Sequence, residues 1–327
     1  MNRYRSFNQA MRERFGCKVY KLALDGGMTC PNRDGTLGDR GCVFCGEAGS
    51  GTFAAPVCGS IREQLEAAKA RVARKNRGGK YLAYFQSFTN TYAPTEYLEQ
   101  LFTQALEPED ICGLSVATRP DCLPDGTVAL LARLNRDKPV WVELGLQTIH
   151  EPTARYIRRG YDLPGFDYAV RRLKAAGLNV VVHVILCLPG ESREEMLDTV
   201  RYVARSGAEG IKLQLLHVLA GTDLAEDWRA GKVPLPTLEE YIALLEACLA
   251  ELPPDMTVHR LTGDGAKKDL LAPLWTGDKK RVLNTMRLAF DRDNMVQGSR
   301  WKPSELSGED PPVCKYKLTG GISHDQN

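Results

Sequence analysis

Short apolar runs alternate along most of the chain with longer segments of helical periodicity. Six runs rich in Val, Ile, Leu and aromatic residues are bounded by polar or glycine-containing turns, a pattern that predicts buried strands. The predicted strands cover residues 18–24, 80–85, 113–118, 140–146, 179–186 and 210–216.

The segments between these runs predict amphipathic helices. A short helix is expected over 7–16, and longer ones near 61–72, 95–106, 125–135 and 166–176. Ser192-x-x-Glu195 and Thr237-x-x-Glu240 have the pattern of a capping box, which predicts two further helix starts. Strands that alternate with helices imply parallel pairing with the helices packed outside, so the expected fold class is α/β.

The 327 residues are enough for one large α/β barrel domain or for two ordinary domains. The pair Pro253-Pro254 marks the expected boundary, with a barrel over 1–254 and a C-terminal extension over 255–327. The extension is expected to hold one or two helices and a strand. Its tail from about 304 is rich in Pro, Gly, Ser and charge, which predicts flexibility.

Composition indicates a soluble globular protein, with 43% hydrophobic and 26% charged residues. The basic N-terminus is followed by no apolar run, and no apolar stretch is long enough to span a bilayer. The expected location is therefore the cytoplasm, without a membrane partner. Ten cysteines in such a chain point to thiols and metal ligands instead of disulfides.

Positive charge is concentrated at the ends of the chain. A net charge of only +2 excludes a polycation that coats nucleic acid. Residues 1–21 nevertheless hold six Lys or Arg against one acid, and residues 256–327 hold twelve against nine. These ends suit either a phosphate backbone at the mouth of a site or an ordinary solvated surface.

Three cysteines, Cys30, Cys42 and Cys45, are separated by eleven and then two residues. Three thiolates are too few for a tetrahedral structural zinc site, and they suit a [4Fe-4S] cluster that keeps one iron open. A small zinc knuckle or incidental thiols are the alternatives. Six further cysteines form no second closely spaced motif: Cys17, Cys58, Cys112, Cys122, Cys248 and Cys314. No second cluster is therefore predicted.

With Phe44 directly before the last cysteine, this stretch resembles the cluster loop of radical S-adenosylmethionine (SAM) enzymes. The first gap is longer than the commonest one of three residues, as in the branch that contains the elongator catalytic subunit. The chain is most similar to the YhcC/YtqA-like family, from Phe7 through Trp301. The resemblance implies a partial (β/α)6 TIM-like barrel, a [4Fe-4S] cluster, SAM, and a reducing protein such as flavodoxin or ferredoxin.

The same resemblance implies residues that contact SAM. The turn that contains Gln86, Thr89 and Asn90 stands where many radical SAM enzymes have a Gly-Gly-Glu-like turn. Gln147 is implied to contact the ribose, and Arg159 to pair with the SAM carboxylate unless it lies at an exposed helix end. Glu143 is the last of these candidates for contact with SAM. It is a carboxylate in an otherwise apolar strand, and a buried carboxylate needs a partner.

The fifth and sixth strands contain further candidate residues, and two of these have a purely structural alternative. His183 is either a ribose contact or a satisfied core histidine, and Cys187 is either a hydrogen-atom donor or a small buried hydrophobe. Alternation along the sixth strand places Lys212, Gln214 and Leu216 on one face, which predicts Lys212 and Gln214 in the substrate cavity. The segment 259–264 resembles a barrel-closing segment of the family.

The resemblance also implies a substrate. Its elongator-like branch implies tRNA, and specifically conversion of 5-carboxymethylaminomethyluridine, or its 2-thio form, at the wobble position to the 5-aminomethyl nucleoside. A radical SAM enzyme that acts on a small metabolite is the second hypothesis. The third, from another class, is an iron-sulfur or zinc protein that binds RNA without catalysis.

Overall fold

The computed structural model describes residues 3–47, 49, 60–263, 265 and 267–303. The six apolar runs form strands close to their predicted positions, and three short strands are added. The described strands are β1 (Val19–Leu24), β2 (Lys80–Phe85), β3 (Ile111–Thr118), β4 (Val140–Gln147), β5 (Asn179–Leu186), β6 (Gly210–Leu215), β7 (Val218–Leu219), β8 (Thr257–Arg260) and β9 (Leu270–Ala272).

The helices follow the predicted periodicity, and both predicted capping boxes are formed. A third box at Ser60 begins the second helix. The described α-helices are α1 (Phe7–Phe15), α2 (Ile61–Val72), α3 (Thr95–Leu106), α4 (Asp125–Asp137), α5 (Glu151–Tyr156), α6 (Leu163–Ala175), α7 (Arg193–Arg205), α8 (Asp223–Arg229), α9 (Leu238–Glu251) and α10 (Lys279–Arg292).

The main sheet has the strand order β1-β2-β3-β4-β5-β6-β8, and all of its pairs are parallel. It curls into a half-barrel, which confirms the expected partial TIM-like α/β fold. A seventh strand, β8, joins the predicted six and lies beyond the expected boundary at Pro254. β7 and β9 form a separate antiparallel pair.

The core lies between the convex side of the sheet and the helices. Phe85 of β2 and Phe102 of α3 are fully buried, with ring centroids 5.2 Å apart. Phe166 of α6 and Tyr241 of α9 are buried to the same extent. Since parallel strands bury both faces, this packing explains why they appear as continuous apolar runs in the sequence.

Strand β3 comes so close to its neighbour at Gly113 that a side chain has no room. A Cβ there would lie 2.6 Å from the Pro139 carbonyl oxygen and 2.9 Å from the Trp141 ring. We expect Gly113→Ala to lower the free energy of unfolding by about 1–3 kcal/mol in urea titrations. Gly277→Ala is the control, because nothing lies within 4 Å of its Cβ position. Equal stability of the two variants would contradict close packing at Gly113.

The described ends of the chain are tied to the strand edge at β8. Val258 donates its backbone N–H to Arg5 O at 2.8 Å, and the Gln297 amide donates to Pro253 O at 2.6 Å and to Met256 O at 2.8 Å. The segment after Pro254 therefore packs on the barrel as far as it is described, whereas the predicted flexible tail from 304 lies outside the described residues. Within the described ranges, no helix is long and apolar enough to cross a membrane.

Candidate active site

The three cysteines of the motif lie on the loop after β1 and line one cavity at the carboxyl ends of the strands. The loop is held by its own backbone: Cys45 donates its N–H to Cys42 O at 3.0 Å, and Gly41 donates to Asn32 O at 2.7 Å. The buried Asn32 amide donates to Arg158 O at 2.7 Å and lies 3.5 Å from Cys42 Sγ. These hydrogen bonds hold the described part of the loop that presents the thiols to the cavity.

Cys30, Cys42 and Cys45 supply three thiols, the number that a [4Fe-4S] cluster with one open iron takes from the protein. Burial raises the pKa of the Cys45 thiol to about 12, so proton loss accompanies metal binding.

The turn after β2 contributes two of its three predicted residues to the cavity. Gln86 and Thr89 line it, whereas Asn90 does not. Asn90 is fully buried and donates its side-chain N–H to Ala117 O at 2.8 Å. The turn also holds Phe88 at φ 55°, a left-handed conformation that costs a non-glycine residue about 1–3 kcal/mol and recurs at functional sites.

Gln147 and Arg159 present polar atoms without hydrogen-bond partners among the described residues. Gln147, at the end of β4 with φ 68°, lines the cavity with a buried and unpaired Oε1. Arg159 is only 2% exposed, so the alternative of an exposed helix end is wrong for it. Its Nη1 donates to Thr148 O at 2.6 Å, and its Nη2 makes no hydrogen bond, although the Glu151 carboxylate lies 3.5 Å away. Such atoms fit the hydroxyl and carboxylate groups of SAM.

Glu143 is fully buried at mid-strand in β4, and it has the hydrogen-bond partners that a carboxylate in an apolar strand requires. Its Oε1 accepts from Lys21 Nζ and Ser115 Oγ, each at 2.6 Å. Its Oε2 pairs with His183 Nε2 at 2.7 Å and with the Lys212 ammonium. These four donors fill the acceptor positions of the carboxylate. Glu143 is therefore anchored in a network, and the implied contact with SAM stays a prediction.

We call this set of side chains the inner layer; it comprises Lys21, Tyr84, Ser115, Glu143, His183, Lys212 and Arg260. Register places its members side by side, because Tyr84 pairs with Ser115, and Lys212 pairs with both His183 and Arg260. Lys212 Nζ also donates to Tyr84 Oη at 2.8 Å. Apart from Lys21 and Ser115, these side chains line the cavity. Glu143, His183 and Lys212 lie at mid-strand, whereas Arg260 is the last residue of β8.

Burial and charge set the protonation of the inner layer. Burial alone would raise the pKa of Glu143, but Lys21, Lys212 and His183 overcome it and hold that pKa well below its usual range. Burial lowers the pKa of Lys212 to about 7 against the pull of Glu143. Burial, with the Lys212 charge, lowers the pKa of His183 to about 4. His183 is therefore neutral near pH 7 and Glu143 is ionised.

The other candidates of the fifth and sixth strands divide into those that line the cavity and one that does not. Gln214 and Leu216 line the cavity with Lys212, as alternation predicted; alternation would place His217 on the opposite face, but it lines the cavity too because β6 ends at Leu215. Cys187 does not line the cavity; it packs against the core, with its N–H 3.0 Å from Met196 Sδ. The small-hydrophobe alternative fits this position.

Sequence reasoning missed several residues of the site. Arg119 lines the cavity and is held by two hydrogen bonds to the Asp121 carboxylate, at 2.9 and 2.7 Å. Lys21 was counted with the basic N-terminus, and Tyr84 was part of an apolar strand, although a lysine or hydroxyl inside such a strand is a signal of the same kind as Glu143. The fold and site together define an α/β half-barrel protein whose cavity combines three thiols, unpaired polar atoms and the charged side chains of the inner layer.

Comparison with known proteins identifies this class. Residues 35–203 match the family model of the radical SAM superfamily, and residues 208–291 match that of the radical SAM C-terminal domain. The chain is 44% identical over 296 residues to YtqA of Bacillus subtilis, an alignment that covers 90% of this chain and 92% of that protein. It is 26% identical over 225 residues to Elongator complex protein 3 of Schizosaccharomyces pombe, covering 64% of this chain and 41% of that protein.

Among solved structures, the archaeal Elp3 of Methanocaldococcus infernus matches with a TM-score of 0.65 and 17% sequence identity, covering 85% of this chain and 64% of that chain. This likeness shows a shared fold. The chain therefore belongs to the radical SAM superfamily and, within it, to the family of YtqA, as its resemblance implied. The cofactors are the [4Fe-4S] cluster and SAM that this superfamily uses.

Proposed function

We propose that this radical SAM enzyme modifies tRNA and converts 5-carboxymethylaminomethyluridine, or its 2-thio form, at the wobble position to the 5-aminomethyl nucleoside. The observation that carries the proposal is the charge of the cavity. Its described lining residues include one acid, Glu143, and five basic residues, Arg33, Arg119, Arg159, Lys212 and Arg260; the acids next to Arg119 and Arg159, Asp121 and Glu151, lie outside this lining. A substrate with phosphates and a carboxylate complements that charge. Likeness to Elongator complex protein 3 supports the assignment to RNA.

In this proposal Cys30, Cys42 and Cys45 hold the cluster, and Arg159 and Gln147 bind the carboxylate and ribose of SAM. The bound cofactors supply a 5′-deoxyadenosyl radical that takes a hydrogen atom from the substrate. A flavodoxin or ferredoxin supplies the electron, and the cytoplasm is the expected location. The remaining candidates near SAM are Gln86, Thr89 and His183; Asn90 and Cys187 receive no role.

The basic N-terminus supports RNA binding less than its sequence suggests. Arg3 pairs with Asp291 at 2.9 Å, and Arg5 pairs with Glu13 at 2.6 Å. Lys21 lies in the barrel interior against Glu143. Three of the six N-terminal cations are therefore neutralised within the fold, and the support for a polyanionic substrate comes chiefly from the cavity.

Nucleoside mass spectrometry of tRNA from cells with and without the gene tests the proposal. We expect the deletion to accumulate 5-carboxymethylaminomethyluridine and to lose its aminomethyl products. A plasmid copy with Cys17→Ser should restore the profile, whereas one with Cys42→Ala should not. If the profile is unchanged and no redundant route exists, the tRNA proposal is wrong. SAM cleavage stimulated by a small molecule would then favour a metabolite substrate, and absence of 5′-deoxyadenosine would favour a non-catalytic protein.

A further inference from the structure

The loop that carries the three cysteines also carries an arginine, Arg33, whose side chain folds back over it. Arg33 Nη2 donates to Cys45 O at 2.9 Å and to Gly46 O at 2.7 Å. The guanidinium therefore ties the segment after the first cysteine of the motif to the segment after the last one. Arginine has five N–H donors, so three remain for other acceptors, and the side chain lines the same cavity as the thiols.

An aromatic ring and two glycines fix the place of this guanidinium. Arg33 Cζ lies 5.5 Å from the centroid of the Phe88 ring, within the range of a cation–π contact. A Cβ at Gly41 would lie 2.9 Å from Arg33 Nε, and a Cβ at Gly49 would lie 2.8 Å from the Phe88 ring. Phe88 belongs to the turn after β2, so Arg33 also connects the cysteine loop to the neighbouring strand. These contacts hold the guanidinium beside the thiols.

The charge of Arg33 reaches the cluster thiols. Burial raises the pKa of the Cys42 and Cys45 thiols, and the Arg33 guanidinium opposes this rise at both. At Cys45 it does so through a hydrogen bond as well as through its charge. Arg119 also acts on Cys42, but two hydrogen bonds bind it to the Asp121 carboxylate. The described contacts of Arg33 are instead with carbonyl oxygens, an aromatic ring and the thiols, and of these only the thiols can carry negative charge.

We propose that Arg33 stabilises the reduced [4Fe-4S] cluster and so raises its reduction potential. With three thiolates, the cluster presents one negative charge to Arg33 when it is oxidised and two after it takes up one electron. A fixed cation therefore lowers the energy of the reduced state more than that of the oxidised state. The cluster then accepts an electron from a flavodoxin- or ferredoxin-type donor at a less negative potential. This role concerns the cofactor, so it does not depend on the substrate proposed above.

The test is a redox titration of the anaerobically reconstituted 327-residue chain without SAM, followed by electron paramagnetic resonance of the reduced cluster. Arg33→Gln removes the charge and keeps a planar N–H donor. At a fixed potential we expect its ratio of reduced to oxidised cluster to be about tenfold below wild type, a midpoint about 59 mV more negative. Arg33→Lys keeps the charge and should stay within about threefold of wild type. Arg40→Gln is the matched control and should stay within about twofold, because Arg40 lies on the same loop but is 64% exposed and pairs with Asp223.

Thermal unfolding and the content of iron and sulfide verify that each variant is folded and loaded. A wild-type midpoint in Arg33→Gln, or an equal shift in Arg33→Lys or Arg40→Gln, would overturn the proposal. An unchanged midpoint together with weaker SAM binding would make Arg33 a ligand of SAM instead. If Arg33→Gln takes up no iron, Phe88→Leu decides, because it removes the ring that holds the guanidinium and leaves the hydrogen bonds of the loop in place. A shift of the same sign, about two- to threefold in the ratio, then supports the proposal, and no shift overturns it.

Discussion

Replacement of Cys42 by alanine is expected to abolish both the iron-sulfur absorbance of the reconstituted protein and the formation of 5′-deoxyadenosine. With three thiolates on three irons, loss of one leaves a corner of the cluster without a protein ligand. Cys42 is the central thiol of the loop: its charge interacts with Cys30 and Cys45, and the Asn32 amide lies against it. Iron and sulfide content, electron paramagnetic resonance, and SAM cleavage with a chemical reductant measure the outcome.

Cys122 provides the informative control for this prediction. It is buried, and it is close enough to Cys30 for the charges of the two thiols to interact. A four-thiolate cluster would need such a residue, whereas an open iron would not. Cys122→Ala should therefore retain the cluster and SAM cleavage. Loss of the cluster in this variant, or its retention in Cys42→Ala, would refute the assignment of three ligands and one open iron.

The sequence predicted the six long strands well because their physical signal is local. A strand buried on both faces needs an apolar run, and turns with polar or glycine residues bound it. β8 lacked that signal: it has four residues, two of them His259 and Arg260, and it follows Pro253-Pro254. What brings it into the sheet is pairing with β6, a contact across more than forty residues that no local pattern encodes.

The candidate site was likewise predicted only in part: local signals in the sequence found some of its residues, and contacts between distant strands determined the others. The cysteine spacing located the loop, and the cost of a carboxylate in an apolar strand indicated that Glu143 had partners. Their identity depended on the register of strands that are far apart in the chain: Lys21 lies on β1, His183 on β5 and Lys212 on β6. Asn90 and Cys187 were candidates that the structure places outside the cavity lining. Residues next to a strand end turn either into the cavity or into the core, and composition does not decide which.

Glu143→Gln is expected to lower the free energy of unfolding by about 3–5 kcal/mol near pH 7, since it leaves Lys21 and Lys212 facing each other without a counter-charge. The amide retains the shape of the carboxyl group, but it removes the charge and replaces one acceptor oxygen with a donor N–H₂ group. A lysine whose pKa is lowered by folding destabilises the protein more as pH falls from its unfolded value, about 10.4, toward its folded value. The deficit of Glu143→Gln relative to wild type should therefore shrink between pH 7 and pH 9. Urea titrations across this range measure it.

A second substitution separates charge imbalance from lost packing. If uncompensated charge causes the deficit, adding Lys212→Met to Glu143→Gln removes one of the two cations, and the double variant should lose less than the sum of the single variants, by about 0.5–3 kcal/mol. Glu66→Gln is the matched control, because that carboxylate is 66% exposed in its pair with Lys69 and should change stability by less than about 1 kcal/mol. Additive losses would show that the inner layer is held by shape. A deficit in Glu143→Gln no larger than that of Glu66→Gln would show that water already screens these charges.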